Sequence, residues 1–429
     1  MIINYGIKAA LAGRILAGFL LAVWILVFTA PAGAKVYIDI TSPGFKKLPL
    51  AVQPFIGGRE ISDVLKNDLA VTGLFDFIDE AAQIEKPDQP FYTPNWRGLG
   101  ADMVIKGRVT PSPGNMMTVS VAAYDVTDGR ELLRKDYAAA TSLTRPIAHA
   151  IANDIYTILT GQPGVFKTKI VFVGDKGDEK ELYEMDWDGH RLHGVGITGG
   201  ILLSPRWSSD ATKLVYSAER QRQWGIYLLN MNTMNERNII TLNGLNMAGN
   251  FLPGNREFLF SSSKDGNPDI YIAEISSMTG RKLISSPWID VSPALSSDGS
   301  SLLFVSNRSG TPQIYMADKD GYNIRRLTFE GNYNTSPAWS QKGDKFAFVG
   351  RTGGGHHIFI MKPDGTGLTQ LTTAGNNEDP TFSPDGRYIA FTSDRDGAKG
   401  IYLMRSNGEG QMRLTPKGFK AVSASWSPQ

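Results

Sequence analysis

Few side chains in this sequence are equipped for chemistry. Five histidines, His149, His190, His193, His356 and His357, are the candidate bases and metal ligands, and there is no cysteine. The lack of Cys excludes a disulfide framework, a thiol nucleophile, Cys-ligated zinc, an iron–sulfur cluster and lipid attachment at Cys. No histidine belongs to the H-E-x-x-H pair of a zinc hydrolase. His149 falls in a helical pattern, where a surface or domain-interface position is expected. His190 and His193 follow an Asp-Gly turn. His356 and His357 begin a strand, so their side chains leave opposite faces and do not converge on one ion. Asp265-Gly266-Asn267-Pro268-Asp269 resembles part of a calcium loop, but it lacks the Gly after the third acid and the downstream Glu, and reads as a turn. Gly353-Gly354-Gly355 lacks the Lys and the strand-to-helix setting of a phosphate loop. There is no G-x-S-x-G nucleophile elbow. Neither a cofactor nor a metal is expected, and the chemistry points to binding.

The elements that would carry such binding repeat. A Pro-x-aromatic-Ser motif places a large apolar residue at Trp207, Phe251, Leu295, Trp339, Phe382 and Trp426, at steps of 44, 44, 44, 43 and 44 residues. Two further aromatic columns keep this period: Phe172, Tyr216, Phe260, Phe304, Phe348 and Phe391, and Tyr183, Tyr227, Tyr271, Tyr315, Phe359 and Tyr402. Four short strands per period is the signature of a β-propeller blade, and six copies predict six blades. The first copy, Lys169 to Thr198, lacks the Pro-x-aromatic strand, whereas Ala424-Ser425-Trp426-Ser427 is that strand with nothing after it. Pairing the two completes a blade and removes the open sheet edges. Asp188-Gly189, Asp320-Gly321, Asp364-Gly365 and Asn407-Gly408 supply tight turns on one face. The second-to-third loops and the blade-to-blade crossings share the other face, and are expected to be longer and more varied there. One basic residue recurs per blade on this face (Lys176, Arg220, Lys264, Arg308, Arg351, Arg395). Repetition in every blade favours a structural contact over a binding ring.

Ahead of the repeats, Val36–Thr41 and Leu48–Phe55 read as strands. Ile61, Val64, Leu65 and Leu69 mark a helix that stops at Gly73. Ala101–Val109, Met117–Val126 and Glu131–Tyr137 read as strands. A helix capped by Thr144 then presents Ile147, Ile151, Ile155, Ile158 and Leu159 and ends at Gly161. The fold class is therefore an α+β N-terminal domain followed by an all-β six-bladed propeller closed by the C-terminal strand. Residues 1–34 carry Lys8 and Arg14, an uncharged run and Ala32-Gly33-Ala34, as in a cleaved secretory signal peptide. The expected division is signal peptide 1–34, α/β domain 35–161, linker 162–168 and propeller 169–429. The linker is short enough that the domains should touch. The signal holds two of the 44 basic residues and none of the 42 acidic ones, so the remainder is neutral. That gives no electrostatic case for nucleic acid.

This combination resembles the TolB family, the periplasmic propeller proteins of the Tol–Pal system. The blades alone are shared with prolyl-oligopeptidase-type propellers. The N-terminal segments Pro49–Phe55, Ile61-Ser62-Asp63-Val64, Thr72-Gly73-Leu74-Phe75, Trp96–Asp102 and His149–Tyr156 follow the family pattern more specifically. The resemblance implies a non-enzymatic monomeric scaffold, peripheral to the outer membrane through its partners, that supports membrane integrity and constriction during cell division. It implies that Pal, the peptidoglycan-associated lipoprotein, binds the crossings at Leu203, Leu245, Met247, Val291, Thr335, Glu378 and Val422. Leu245 stands where the family often carries His, and Val291 where it often carries Thr. It also implies that the mature N-terminal segment Lys35, Val36, Tyr37, Ile38, Asp39, Ile40 and Thr41 engages TolA. The alternative is a secreted propeller enzyme. A peptidase would need an α/β-hydrolase domain, and a sugar lyase would need inward histidines or carboxylates that five His do not readily supply.

Overall fold

The computed structural model describes residues 46–276 and 280–429. The expected signal peptide, the expected Val36–Thr41 strand and the expected Lys35–Thr41 TolA segment lie outside the described residues.

The first domain is a mixed five-stranded sheet. Strands β1 (Leu48–Val52), β2 (Phe75–Phe77), β3 (Met103–Ser112), β4 (Met116–Asp125) and β5 (Glu131–Ala140) lie in the order β2-β1-β3-β4-β5. β1 runs parallel to both its neighbours, with Leu48 opposite Phe75 and Leu50 opposite Met103, and the last three strands form an antiparallel meander. The three-residue β2 was not anticipated. Strand alternation sends Leu50 and Val52 into the main core and Ala51 into a smaller one with Trp96 and Val104.

Helices α1 (Arg59–Val71), α2 (Thr93–Arg97) and α3 (Thr144–Thr160) complete the domain. α1 buries Ile61, Val64, Leu65 and Leu69 as its spacing requires. α3 buries Ile147, Ile151, Ile155 and Leu159, whereas Ile158 is only half-buried and Tyr156 takes its place. Thr144 does not cap α3. It is the first helical residue, Leu143 stands at the cap, and the Thr144 hydroxyl donates to the Thr141 carbonyl at 3.0 Å. Gly161 closes α3 at φ 72°, the left-handed conformation that glycine adopts without strain.

Six four-stranded sheets follow. Blade 1 combines Lys169–Lys176, Glu179–Asp186 and His193–Gly199 with the closing strand Ala421–Trp426, and the last aligns Ala421 with Gly174 and Trp426 with Ile170. Blades 2 to 6 begin at Ile201–Trp207, Asn246–Phe251, Asp290–Leu295, Asn334–Trp339 and Asn377–Phe382. The two aromatic columns are one feature. Phe172 lies opposite Tyr183 with ring centres 5.8 Å apart, and Tyr216–Tyr227, Phe260–Tyr271 and Phe348–Phe359 repeat the contact at 5.7, 5.2 and 5.6 Å. Neighbouring blades share apolar clusters, for example Val215 and Ile226 with Phe258 and Phe260.

The domains do touch, and their cores merge. An aromatic chain runs from Tyr156 on α3 to Phe166 (5.5 Å), Trp187 (5.4 Å), Tyr388 (6.2 Å) and Trp426 on the closing strand (6.4 Å). The α/β domain rests on the tight-turn face of blades 1 and 6. Arg387, in the first-to-second turn of blade 6, donates to the Tyr156 hydroxyl at 2.8 Å, and Arg145 on α3 pairs with Asp188 in the third-to-fourth turn of blade 1.

Candidate partner-binding face

The crossings occupy the face opposite the one on which the α/β domain rests. The second-to-third loops there are not uniformly long. In blades 1, 2 and 5 the strands extend into hairpins closed by two residues, 177–178, 221–222 and 353–354. Gln221, Arg222, Gly353 and Gly354 all have positive φ, as such tight turns demand. Longer loops remain in blades 3, 4 and 6.

The basic residues of this face are tied into their own blades. Arg308 donates to Ser306 (2.9 Å) and to the fully buried Asp290 (2.9 Å) and lies 5.1 Å from the centre of the Tyr315 ring. Arg395 repeats this with Ser393 (3.0 Å), Asn377 (2.8 Å) and Tyr402 (4.9 Å). Arg220 binds Glu236 through two hydrogen bonds of 2.6 and 2.7 Å, Lys264 pairs with Asp265 at 2.8 Å, and Lys176 with Glu181 at 3.2 Å. The Arg351 side chain is exposed and makes no hydrogen bond or ion pair among the described residues. A structural role accounts for five of the six. Asp265 and Asp269, the acids of the calcium-like turn, both contact Lys282 (3.1 and 2.8 Å), and with Lys264 on Asp265 two ammonium groups balance the two carboxylates.

The seven crossing positions divide into groups. Leu203, Leu245, Met247 and Val291 line the mouth of the axial channel. Leu245 is 41% exposed, while Leu203, Met247 and Val291 are half-buried. Thr335 and Glu378 line an adjoining hollow of about 200 Å3, which shares Ser336 and Asp379 with the channel wall, together with Tyr333 and His356, whose rings stack at 5.3 Å. Val422 lies opposite Val173 on the closing strand and packs with Val171 and Leu202. His356 and His357 do point apart: His356 faces Glu378 at 3.6 Å, and His357 is buried beside Asn377, where burial lowers its pKa. Sequence reasoning missed the most exposed apolar residues on the crossings, Trp288 (46%), Ile289 (43%) and Phe329 (71%). Ile289 and Leu245 immediately precede the first strands of their blades, so the repeat alignment carried a signal for it.

A second polar cluster lies at the junction. The His149 Nδ1 is 2.7 Å from Asp68 on α1, and its Nε2 lies 3.7 Å from both Asp186 and Asp188 of blade 1. The interface position expected of His149 is the one it takes. Burial lifts the Asp68 pKa to about 6 against the opposing pull of His149 and Arg145. Burial also works to raise Asp188, but His149 and Arg145 outweigh it and hold it low. Asp68, His149 and Asp188 each bring a potential ligand atom within 4.8 Å of the others. However, Arg145 already pairs with Asp188, and Arg191 holds Asp186 through two bonds of 2.6 Å. Asp186 and Asp188 are thus each paired with an arginine, Asp68 has His149 as its partner, and the cluster joins the two domains.

The structure is thus a six-bladed ring that carries the α/β domain on one face, at blades 1 and 6, and presents an apolar-rimmed channel mouth on the other. The TolB beta propeller domain family matches residues 156–429, and the TolB amino-terminal domain family matches residues 36–132. The chain belongs to the TolB family. It is 30% identical over 236 residues to the Tol-Pal system protein TolB of Nitrosomonas europaea, covering 54% of this chain and 55% of that one. It is 34% identical over 234 residues to that of Desulfosudis oleivorans, covering 51% and 53%. The chain thus spans about half the length of the curated relatives it matches. The crystal structure of TolB from Acinetobacter baumannii superposes with a TM-score of 0.80 at 25% identity, covering 91% of this chain and 99% of that chain.

Proposed function

We propose that this protein is a non-enzymatic periplasmic scaffold of the Tol–Pal system. It binds Pal through the crossing face and TolA through the segment Lys35–Thr41, and so supports outer-membrane integrity and constriction at division. One observation carries the reading of the face. Leu203, Leu245, Met247 and Val291 gather at one channel mouth, on the side away from the α/β domain, and the crossings of the same face also expose Trp288, Ile289 and Phe329. Apolar residues gathered on an otherwise polar surface favour a protein partner. Membership of the TolB family supports Pal as that partner.

The test is a titration of the purified protein with Pal from the same organism, beside a Leu203→Asp, Val291→Asp double variant. Saturable binding that the double variant loses is the expected result. Undiminished binding by the variant, or none at tens of micromolar Pal, rejects the assignment of this face. Deleting residues 35–41 should abolish TolA capture and leave Pal binding intact, and equal loss of both rejects the division of labour.

A further inference from the structure

The channel along the propeller axis encloses about 690 Å3, within the range that holds a small molecule. Serine, proline, alanine and tryptophan build most of its wall, and only two lining residues carry charge, Arg206 and Asp379. Both are exceptions to the repeat. The first strands of five blades bulge where a residue adopts positive φ; Ser204, Ser292, Ser336 and Ser423 hold that position in four blades and Asp379 in the fifth. The place of Arg206 is taken in the other blades by Asn250, Ala294, Ala338, Thr381 and Ser425.

These two charges are poorly compensated. The Arg206 guanidinium donates to the adjacent Pro205 carbonyl at 2.9 Å, and Asp379 accepts from the Ser423 hydroxyl at 3.1 Å. No ion pair or hydrogen bond joins Arg206 to Asp379 among the described residues. Burial lowers the Arg206 pKa and raises that of Asp379, and each charge offsets the other's burial only in part. Ring closure needs neither, because neutral residues hold both positions in the other blades. Two opposite, incompletely paired charges in one cavity call for a ligand that carries both complements.

We propose that the channel binds a small zwitterion, an amino acid or short peptide, whose carboxylate meets Arg206 and whose ammonium meets Asp379. Trp207, beside Arg206, supplies apolar wall for the ligand's carbon atoms. This site is independent of the assignment of the crossing face.

Isothermal titration of the purified protein with L-alanine and with L-alanyl-L-alanine tests it, with sodium acetate and methylammonium chloride as singly charged controls. Arg206→Asn and Asp379→Ser are the variants, each bearing a residue that another blade holds at the same position. Saturable binding of at least one zwitterion, weakened about tenfold or more in both variants, is expected for the loss of one charge-assisted contact. Neither control should saturate. No saturable binding up to about 10 mM, equal affinity in the variants, or acetate binding as tightly as the zwitterion would each overturn the proposal.

Discussion

The imidazole of His149 and the carboxylate of Asp68 meet at 2.7 Å beneath the propeller, fully enclosed where α1, α3 and blade 1 converge. This contact belongs to the junction that fixes the α/β domain on the ring, and it makes stability sensitive to pH. The Asp68 pKa stands at about 6 in the folded protein, above the ordinary 3.8. Between these values the folded state holds a proton that the unfolded chain has released. The resulting stabilisation is complete below about pH 4 and is lost as pH rises through 6. For this one group the swing is about 3 kcal/mol. Asp68→Asn should abolish it, so the stability difference between wild type and variant changes across that window. Urea unfolding at pH 4.5 and 7 measures this, and a constant difference would refute it.

The repeated basic residues separate structure from surface. Arg308→Ala leaves the fully buried Asp290 carboxylate with the Ser286 hydroxyl as its remaining side-chain partner. A loss of about 3–5 kcal/mol is expected from stranding a buried charge. Arg351→Ala should change stability by no more than about 0.5 kcal/mol. Equal effects of the two in chemical denaturation would count against the structural role.

Trp426 anchors the closing strand. Its Nε1 donates to the Thr168 hydroxyl at 2.8 Å, and its ring packs on Tyr388. Trp426→Ala should destabilise the protein by about 3–5 kcal/mol. The transition should remain single when followed separately by near- and far-ultraviolet circular dichroism, because the cores of the ring and the α/β domain merge at this residue. Two separated transitions would show that the domains unfold independently.

Gly164 lies in the linker against the Phe166 ring, and a Cβ there would come within 2.3 Å of it. Phe166 is fully buried between Tyr156 and Trp187 and has little room to yield. Gly164→Ala should cost about 1–3 kcal/mol and alter the aromatic circular dichroism. A thermal midpoint equal to wild type would mean that the ring can move aside.

The propeller was legible because its period is carried by residues that touch. Phe172 and Tyr183 sit 11 positions apart in the chain and opposite each other in the sheet, so the spacing of the columns is itself a record of strand pairing. The strand β2 was not legible, because three residues are too few to show an alternation. Thr144 misled because a threonine at a helix start matches a cap by type, whereas its backbone is already helical. The crossing residues could be aligned but not ranked, since exposure depends on how each loop folds over its neighbour. Trp288 and Phe329 project while Met247 and Val291 turn toward the channel. His149 gave no sign of its three acidic neighbours, because Asp68 and the Asp186–Asp188 turn lie far from it along the chain.

Blade 1 also sets a timetable for folding. Lys169 and Ser427 are hydrogen-bonded across a sequence separation of 258 residues, and that pairing completes the ring. The strand Lys169–Lys176 emerges early in synthesis and must wait, with one edge bare, while five other blades are made. Contacts this distant in sequence form slowly, and an unpaired edge can recruit another chain meanwhile. The half-made ring is therefore the species most in need of a chaperone's cover. Once the last strand docks, its release and the opening of the ring become a single event, so the closure acts on the rate of unfolding rather than on the rate of folding.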